Sequence, residues 1–381
     1  MEAEIIATTI AKIILGSLLL LVFGVFFGLI YKGIDRKITA HMQGRIGPPI
    51  RQPFRDVVKL FTKENIVPDN AIPWVFNLVP LLGLVAAVTI LLYLPLGGFE
   101  PLASSSGDLI LVLYLLIIPS LALVIGGFSS GSPYATVGAQ REMATMIAYE
   151  FPLAIIIITF AWRLNQADAI LNISGGNVFA LSAISSFTIW NVVGILGIIG
   201  LLLLLLVLII VTPAELSKIP FDSPEAETEI GGGLLVEYSG RNLAMFYLTD
   251  AVKTVVMATL IVTLFFPTTL QQLLSLNIAN QTFIELIPIY AAEILFFLLK
   301  ILIVIIFSVS LIRVAVARLK IDQIVYTYWV PLTLIALVGL IFIMWDAQIL
   351  TADAQAFTNT NLEWAKPIVQ GYQDLFSWLH P

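Results

Sequence analysis

Apolar positions along the chain gather into eight long runs. They fall at about residues 5–31, 73–94, 108–128, 139–163, 189–212, 236–265, 283–309 and 326–346. Runs of this length suit helices that cross the hydrocarbon core of a bilayer. Period-two alternation is missing, so a membrane β-barrel does not fit. The pattern predicts an all-α integral membrane protein with eight transmembrane helices. One membrane domain is expected over 1–350, followed by a polar and aromatic tail over 351–381.

Two polar stretches interrupt the runs with patterns of their own. From Pro53, the residues Phe54, Val57, Val58 and Phe61 fall at helical spacing, and Arg55, Lys59 and Lys63 take another face. Proline suits a first helical turn. An amphipathic helix in the plane of the interface is expected, serving as a lipid anchor, a docking face, or both. The second stretch, Thr212 to Lys253, holds seven of the 25 acids: Glu215, Asp222, Glu225, Glu227, Glu229, Glu237 and Asp250. Thr212-Pro213 and Asp222-Ser223-Pro224-Glu225 both read as helix starts. A short acidic loop helix should then place Glu225 and Glu229 on one face and Glu227 on another, with Gly231-Gly232-Gly233 as a flexible joint after it.

Composition agrees with the membrane reading. The 381 residues are 59% hydrophobic and 12% charged, with a mean hydropathy of +0.99. There is no cysteine, which excludes a disulfide and any cysteine-held iron–sulfur cluster or zinc in this chain. The two histidines, His41 and His380, are far apart, so no metal or haem site is expected. Redox cofactors would belong to partner subunits, and no nucleic-acid partner is expected.

Basic residues set the orientation. With alternating sides, 14 of the 19 Lys and Arg fall on the side reached after the first helix and three on the other. The positive-inside rule then puts both termini outside and the large loops in the cytoplasm of a cell-membrane protein.

Charge inside the helices carries the candidate chemistry, because an Asp or Lys at a helix centre costs about 2.5–3.5 kcal/mol on the insertion scale. Glu142, Glu150, Glu237, Asp250 and Glu293 fall within helices, as do Lys253 and Lys300. Glu142 is near a helix end, where water or Arg141 could satisfy it. Glu150 is deeper and precedes Pro152, which leaves a gap in the backbone hydrogen bonding. Glu237 with Arg241, and Asp250 with Lys253, have spacings at which each pair could neutralise itself. Glu293 and Lys300 are roughly 10 Å apart along their helix, too far for a direct bond.

Three separated motifs resemble one family. The first runs through Asp35-Arg36-Lys37, Met42-Gln43, Arg45, Gly47-Pro48, Gln52-Pro53, Asp56 and Lys59 to Glu64. The second is Tyr149-Glu150. The third is Pro220-Phe221-Asp222, Pro224-Glu225-Ala226-Glu227, Glu229 and Val236-Glu237-Tyr238. Over about residues 5–330 the chain resembles the heel subunit of respiratory complex I, also called subunit 1, and its relatives in membrane-bound energy-converting hydrogenases. The resemblance implies a subunit that joins a peripheral redox arm to an ion-pumping membrane arm.

Carried over, Glu150, Glu225, Glu227, Glu229, Glu237 and Asp250 would form an ion-translocation line, to which the charge pattern adds Asp222, Lys253 and Glu293. Asp35, Arg36, Lys37, Arg45, Arg55, Lys59, Lys63, Arg313 and Arg318 would face the redox arm. Partners would be iron–sulfur and catalytic subunits, antiporter-like membrane subunits and the lipid bilayer. Iron–sulfur clusters, and a nickel–iron site or quinone, would be held by those partners.

Only Pro49-Ile50-Arg51 separate Gly47-Pro48 from Gln52-Pro53, where complex I members usually carry more residues. The compact form resembles the hydrogenase-like and ferredoxin-linked branch, in which quinone need not bind. The alternatives are a quinone-chamber subunit, a stand-alone cation-coupled transporter and a purely structural anchor.

Overall fold

The computed structural model describes residues 2–104, 107–171, 179–186, 188–191, 193–274 and 283–350, and the expected tail over 351–381 lies outside them. Among the described residues the chain is helical, without strands. In order, the helices are α1 (Glu2–Met42), α2 (Gln52–Thr62), α3 (Pro73–Tyr93), α4 (Asp108–Ser129), α5 (Pro133–Leu171), α6 (Leu181–Ser186) and α7 (Ile195–Glu215). Then come α8 (Glu227–Ile230), α9 (Gly240–Phe265), α10 (Leu270–Leu273), α11 (Phe283–Ile305), α12 (Leu311–Ala315), α13 (Ile321–Thr327) and α14 (Thr333–Leu350). π-helical turns at Ile306–Ser310 and Tyr328–Leu332 join α11 to α12 and α13 to α14.

Eight of the resulting segments are long and apolar enough to span a membrane, in the positions the runs predict. In lipid every backbone polar group must be satisfied within the chain, which is why these runs are helical.

The bundle is built around α9. Every residue from Ala251 to Phe265 is buried, whereas α1 exposes Ile14, Leu15, Leu18, Leu19 and Val22 as lipid-facing helices do. Lipid is as apolar as leucine, so helices gain from close packing through small residues. At Gly28 of α1 a Cβ would stand 2.3 Å from the Ala251 carbonyl oxygen of α9. Between α7 and α14, a Cβ on Gly200 would lie 2.7 Å from the Gly339 oxygen. Larger residues at either place would part the helices.

The chain's turns gather at two ends. One end holds the tips of α1, α4, α7 and α12, the whole of α2, and the acidic loop. There α2 begins with proline in its first turn, as expected, and buries Pro53 and Val57 while Arg55, Lys59 and Lys63 stay exposed. Val57 packs with Leu29, Leu248 and Ala251, so one face of α2 rests on α1 and α9.

The acidic loop departs from expectation in four ways. Pro213 lies in the last turn of α7, which runs on to Glu215, so Thr212-Pro213 starts no helix. Ser223–Glu225 is a single tight turn, and Ala226 is extended before the one-turn α8. Glu225 and Glu229 therefore share no helical face. Gly231 caps α8 in the left-handed region, but Gly233 is packed: a Cβ there would stand 2.0 Å from the Pro224 oxygen. The glycines serve close approach as much as freedom. Finally α9 begins at Gly240, so Glu237 precedes the helix and cannot pair with Arg241 along it.

Candidate functional site

A cavity of about 180 Å³ opens among α1, α4, α7, α9 and the acidic loop. Five cationic and four carboxylate side chains line it: Lys32, Arg36, Lys218, Lys253 and Arg313 against Asp35, Glu215, Glu225 and Asp250. Charges so nearly balanced can be retained at a buried site because opposite charges stand beside one another.

Asp250 is the hub. Its Oδ2 lies 2.6 Å from Lys32 Nζ and 2.6 Å from Lys218 Nζ. Lys32 also donates to the Tyr247 carbonyl at 3.0 Å and stands 4.6 Å over the Tyr247 ring. The pairing of Asp250 with Lys253 that their spacing allows is therefore not made. Lys253 pairs instead with Glu215, at 2.7 Å, and donates to Ser120 Oγ at 2.6 Å. Ser120 is in turn 3.2 Å from the Tyr149 hydroxyl. The partner sets come from different helices because two neighbours on α9 that are three residues apart face different packing partners.

Glu225 completes the cavity from the loop. Burial pushes its carboxyl up to about 6; Lys218 and Lys32 pull it down, and Asp250 and Asp222 add to the rise. Burial disfavours the Lys218 ammonium, but Asp250 and Glu225 outweigh that, and its pKa is raised overall. Lys218 is thus a cation shared electrostatically by two acids, one on the loop and one on α9.

Other expected site residues stand apart from the cavity. Asp222 is clasped by Arg318 through both of its oxygens, and Arg318 also donates to Thr228 at 3.1 Å. Glu227 and Glu229 are exposed, and Glu229 pairs with Arg141. Glu237 is half-buried on the loop and does not line the cavity. Glu150 is within electrostatic reach of Glu215 and Lys253, and its buried Oε1 has no hydrogen-bond partner. Glu293 lines a different cavity at the far end of the bundle.

The expected redox-facing set divides in the same way. Asp35 is buried and holds Ser310 at 2.7 Å and Arg313 at 3.1 Å, and Arg36 pairs with Asp56 at 3.2 Å. These three, with Arg318, tie the loop end together. Lys37, Arg45, Arg55, Lys59 and Lys63 are exposed.

Sequence reasoning passed over Lys32 and Lys218, which it used only to set orientation, and named Glu215 without giving it a role. Glu142, expected to be hydrated, is 1% exposed and faces Ser217. No local signal gives the partners of these four, because each meets them across the bundle. Among the described residues no group of three or more His, Cys, Asp or Glu could hold a metal ion.

Fold and site together define a multi-pass helical membrane protein with interleaved lysines and carboxylates around an internal cavity. Comparison then gives the family. The family model described as NADH dehydrogenase matches residues 15–344. An H-type subunit of NADH-quinone oxidoreductase from Koribacter versatilis (strain Ellin345) is 31% identical over 239 residues, which are 61% of this chain and 55% of that protein. The match thus spans little more than half of that relative's length. A chain in the structure of the membrane-bound sulfane sulfur reductase, an archaeal respiratory membrane complex, superposes with a TM-score of 0.71 at 29% identity. That likeness covers 87% of this chain and 99% of the other. The chain belongs to the NADH dehydrogenase family, as a homologue of the heel subunit of complex I.

Proposed function

We propose that this chain is the junction subunit of a redox-driven proton or sodium pump, joining a peripheral redox arm to ion-translocating membrane subunits. The chamber carries the reading: Glu225 on the loop reaches Asp250 and Lys32 of the bundle through Lys218. With its carboxyl raised to about 6, Glu225 changes charge near pH 6. An electron arriving beside the loop changes the local field, and in a low-dielectric site one charge has a large effect. Ionised, Glu225 draws Lys218 from Asp250; protonated, it releases Lys218 to it. The Glu215–Lys253–Ser120–Tyr149 series then carries the change deeper.

In this reading the loop end is cytoplasmic, as its basic excess favours. The exposed Lys37, Arg45, Arg55, Lys59 and Lys63 meet the redox arm. Iron–sulfur clusters, and a nickel–iron site or quinone, belong to the partner subunits, and antiporter-like subunits receive the charge change. The three-residue spacing before Gln52 and the likeness to a sulfane sulfur reductase chain favour the hydrogenase-like or ferredoxin-linked branch.

The test is Glu225→Gln in the assembled complex, reconstituted in vesicles and turned over with its redox substrate. Coupled ion movement is expected to fall about tenfold while the complex still assembles. Normal pumping would remove the mechanism.

A further inference from the structure

Toward the end of the bundle opposite the acidic loop, a groove of about 670 Å³ runs between α1 and α11. Its buried lining is Leu91 of α3, Leu94 just after it and Phe297 of α11. Leu19, Val22 and Phe26 of α1 and Ile294 of α11 line it too and are exposed on the outside of the bundle. The Tyr31 hydroxyl of α1 donates to the Leu298 carbonyl of α11 at 2.9 Å, so the two helices meet there. From Phe27 back to Leu19 the groove follows eight residues of α1. That is about 12 Å of helix, against roughly 15 Å for the hydrocarbon of one leaflet. The loop after α3 closes in at the far end, where a Cβ on Gly16 of α1 would stand 2.5 Å from Leu102.

Glu100 of that loop is the one charged residue lining the groove among the described residues, and it is exposed. No cation pairs with it among those residues. It also lines a polar chamber of about 350 Å³ that shares Gly97, Phe99 and Phe297 with the groove. The other charged residues lining that chamber are Glu293 and Lys300. Lys300 is engaged by the carbonyls of Phe266, at 2.9 Å, and Thr268, and Glu293 accepts from the Leu270 N–H at 3.1 Å. Two acids against one engaged cation leave the mouth negative. An apolar slot nearly one leaflet deep therefore ends beside a polar, negative opening.

We propose that the groove binds one membrane lipid with an ammonium headgroup, of the phosphatidylethanolamine kind. One hydrocarbon chain lies in the slot between α1 and α11, and the ammonium reaches Glu100 at the mouth. The chain gains close packing rather than removal from water, because the bilayer is as apolar as the slot. Selection among lipids falls to the headgroup, since a carboxylate draws an ammonium and repels a head that is only anionic. The site is separate from the Glu225 chamber and involves neither redox turnover nor proton transfer.

The test places the intact complex in phosphatidylglycerol nanodiscs with a trace of lipid carrying a photoactivatable diazirine in its chain. The probe is either phosphatidylethanolamine or phosphatidylglycerol, and labelled residues are mapped by mass spectrometry. The phosphatidylethanolamine probe should mark Leu19, Phe23 and Ile294 above the rest of the outer face, and several-fold more than the phosphatidylglycerol probe does. Val22→Trp fills the slot from an exposed position and should remove that excess. Glu100→Gln should shrink the preference between probes by about two- to fivefold, the range of an exposed ion pair. Should either variant fail to assemble, the two probes on wild type decide. Labelling spread evenly along α1 and indifferent to Val22→Trp would overturn the site as ordinary bilayer contact. Equal marking by the two probes would overturn it as well, and so would an unlabelled slot, the result expected if a partner's helix fills it.

Discussion

Asp250 and Asp346 are both carboxylates enclosed by neighbouring helices, yet the packing around them differs. Asp250 borders a cavity, has a side chain 30% exposed, and shares one oxygen between two lysines. Asp346 is fully buried. Its Oδ2 accepts from the Gly194 N–H at 2.9 Å and lies 3.9 Å from Arg163, itself 3% exposed. Gly197 leaves it no slack, since a Cβ there would stand 2.6 Å from that oxygen. The first cluster has room and spare partners and can rearrange. The second fixes α5, α7 and α14 in one arrangement. Buried charge alone therefore does not distinguish the two; the room beside it does.

The sharpest way to break this comparison is at the sealed pair. Arg163→Met should cost about 3–5 kcal/mol by leaving a buried carboxylate short of its cation. It would be read as lost assembly or a large fall in thermal midpoint in detergent. Adding Asp346→Leu should restore much of that, apart from the Gly194 N–H. A single variant of wild-type stability but impaired transport would place this pair with the functional cluster.

Asp250→Asn comes next. Stability should fall less, by about 1–3 kcal/mol, because the two lysines can reach cavity water. Coupled ion movement in vesicles should nevertheless fall more than tenfold. Equal losses of stability and transport would make the hub structural.

Much of this was legible beforehand, and for a physical reason. Eight apolar runs need no partner to declare themselves, because lipid forces each into a helix. The amphipathic α2 is legible on the same terms, with its proline start and its row of Arg55, Lys59 and Lys63. The site was half legible. Glu225, Asp250 and Lys253 stand out as charges in or beside membrane segments, and the three family motifs place Glu225 with them. Their partners did not stand out. Lys32 is 218 residues from Asp250, and sequence spacing proposes only partners three or four residues away. The pairing of Asp250 with Lys253 and of Glu237 with Arg241 failed for that reason. Helix rotation in the packed bundle selects the partner.

Glu225 also gives the comparison a pH axis. Its raised pKa means the folded protein holds that proton more tightly than the unfolded chain does, so its contribution to stability is most favourable at low pH. That advantage is lost as pH rises from about 4.5 to about 6. Relative to Glu225→Gln, wild type should therefore lose thermal stability across this window, with no further change above it. The pH profile of coupled transport should carry an inflection near pH 6 that the glutamine variant lacks. An unchanged profile in that variant would assign the titration to another group.

The smallest effect belongs to the loop's outer tie. Arg318 grips Asp222 by both oxygens and reaches Thr228, but its side chain is 30% exposed, and partly exposed pairs typically contribute under about 1 kcal/mol. Arg318→Ala should thus lower the thermal midpoint slightly, with the loss shrinking further at high salt. Its interest is positional. Asp222 adjoins the turn that carries Glu225, so releasing the tie loosens the loop without touching the chamber's lysines. Transport should fall by a few-fold at most, and Arg318→Lys should recover only part, because an ammonium cannot grip both oxygens as the guanidinium does. A loss as deep as that of Asp250→Asn would mean that the loop's grip, and not the room beside Asp250, sets the coupling.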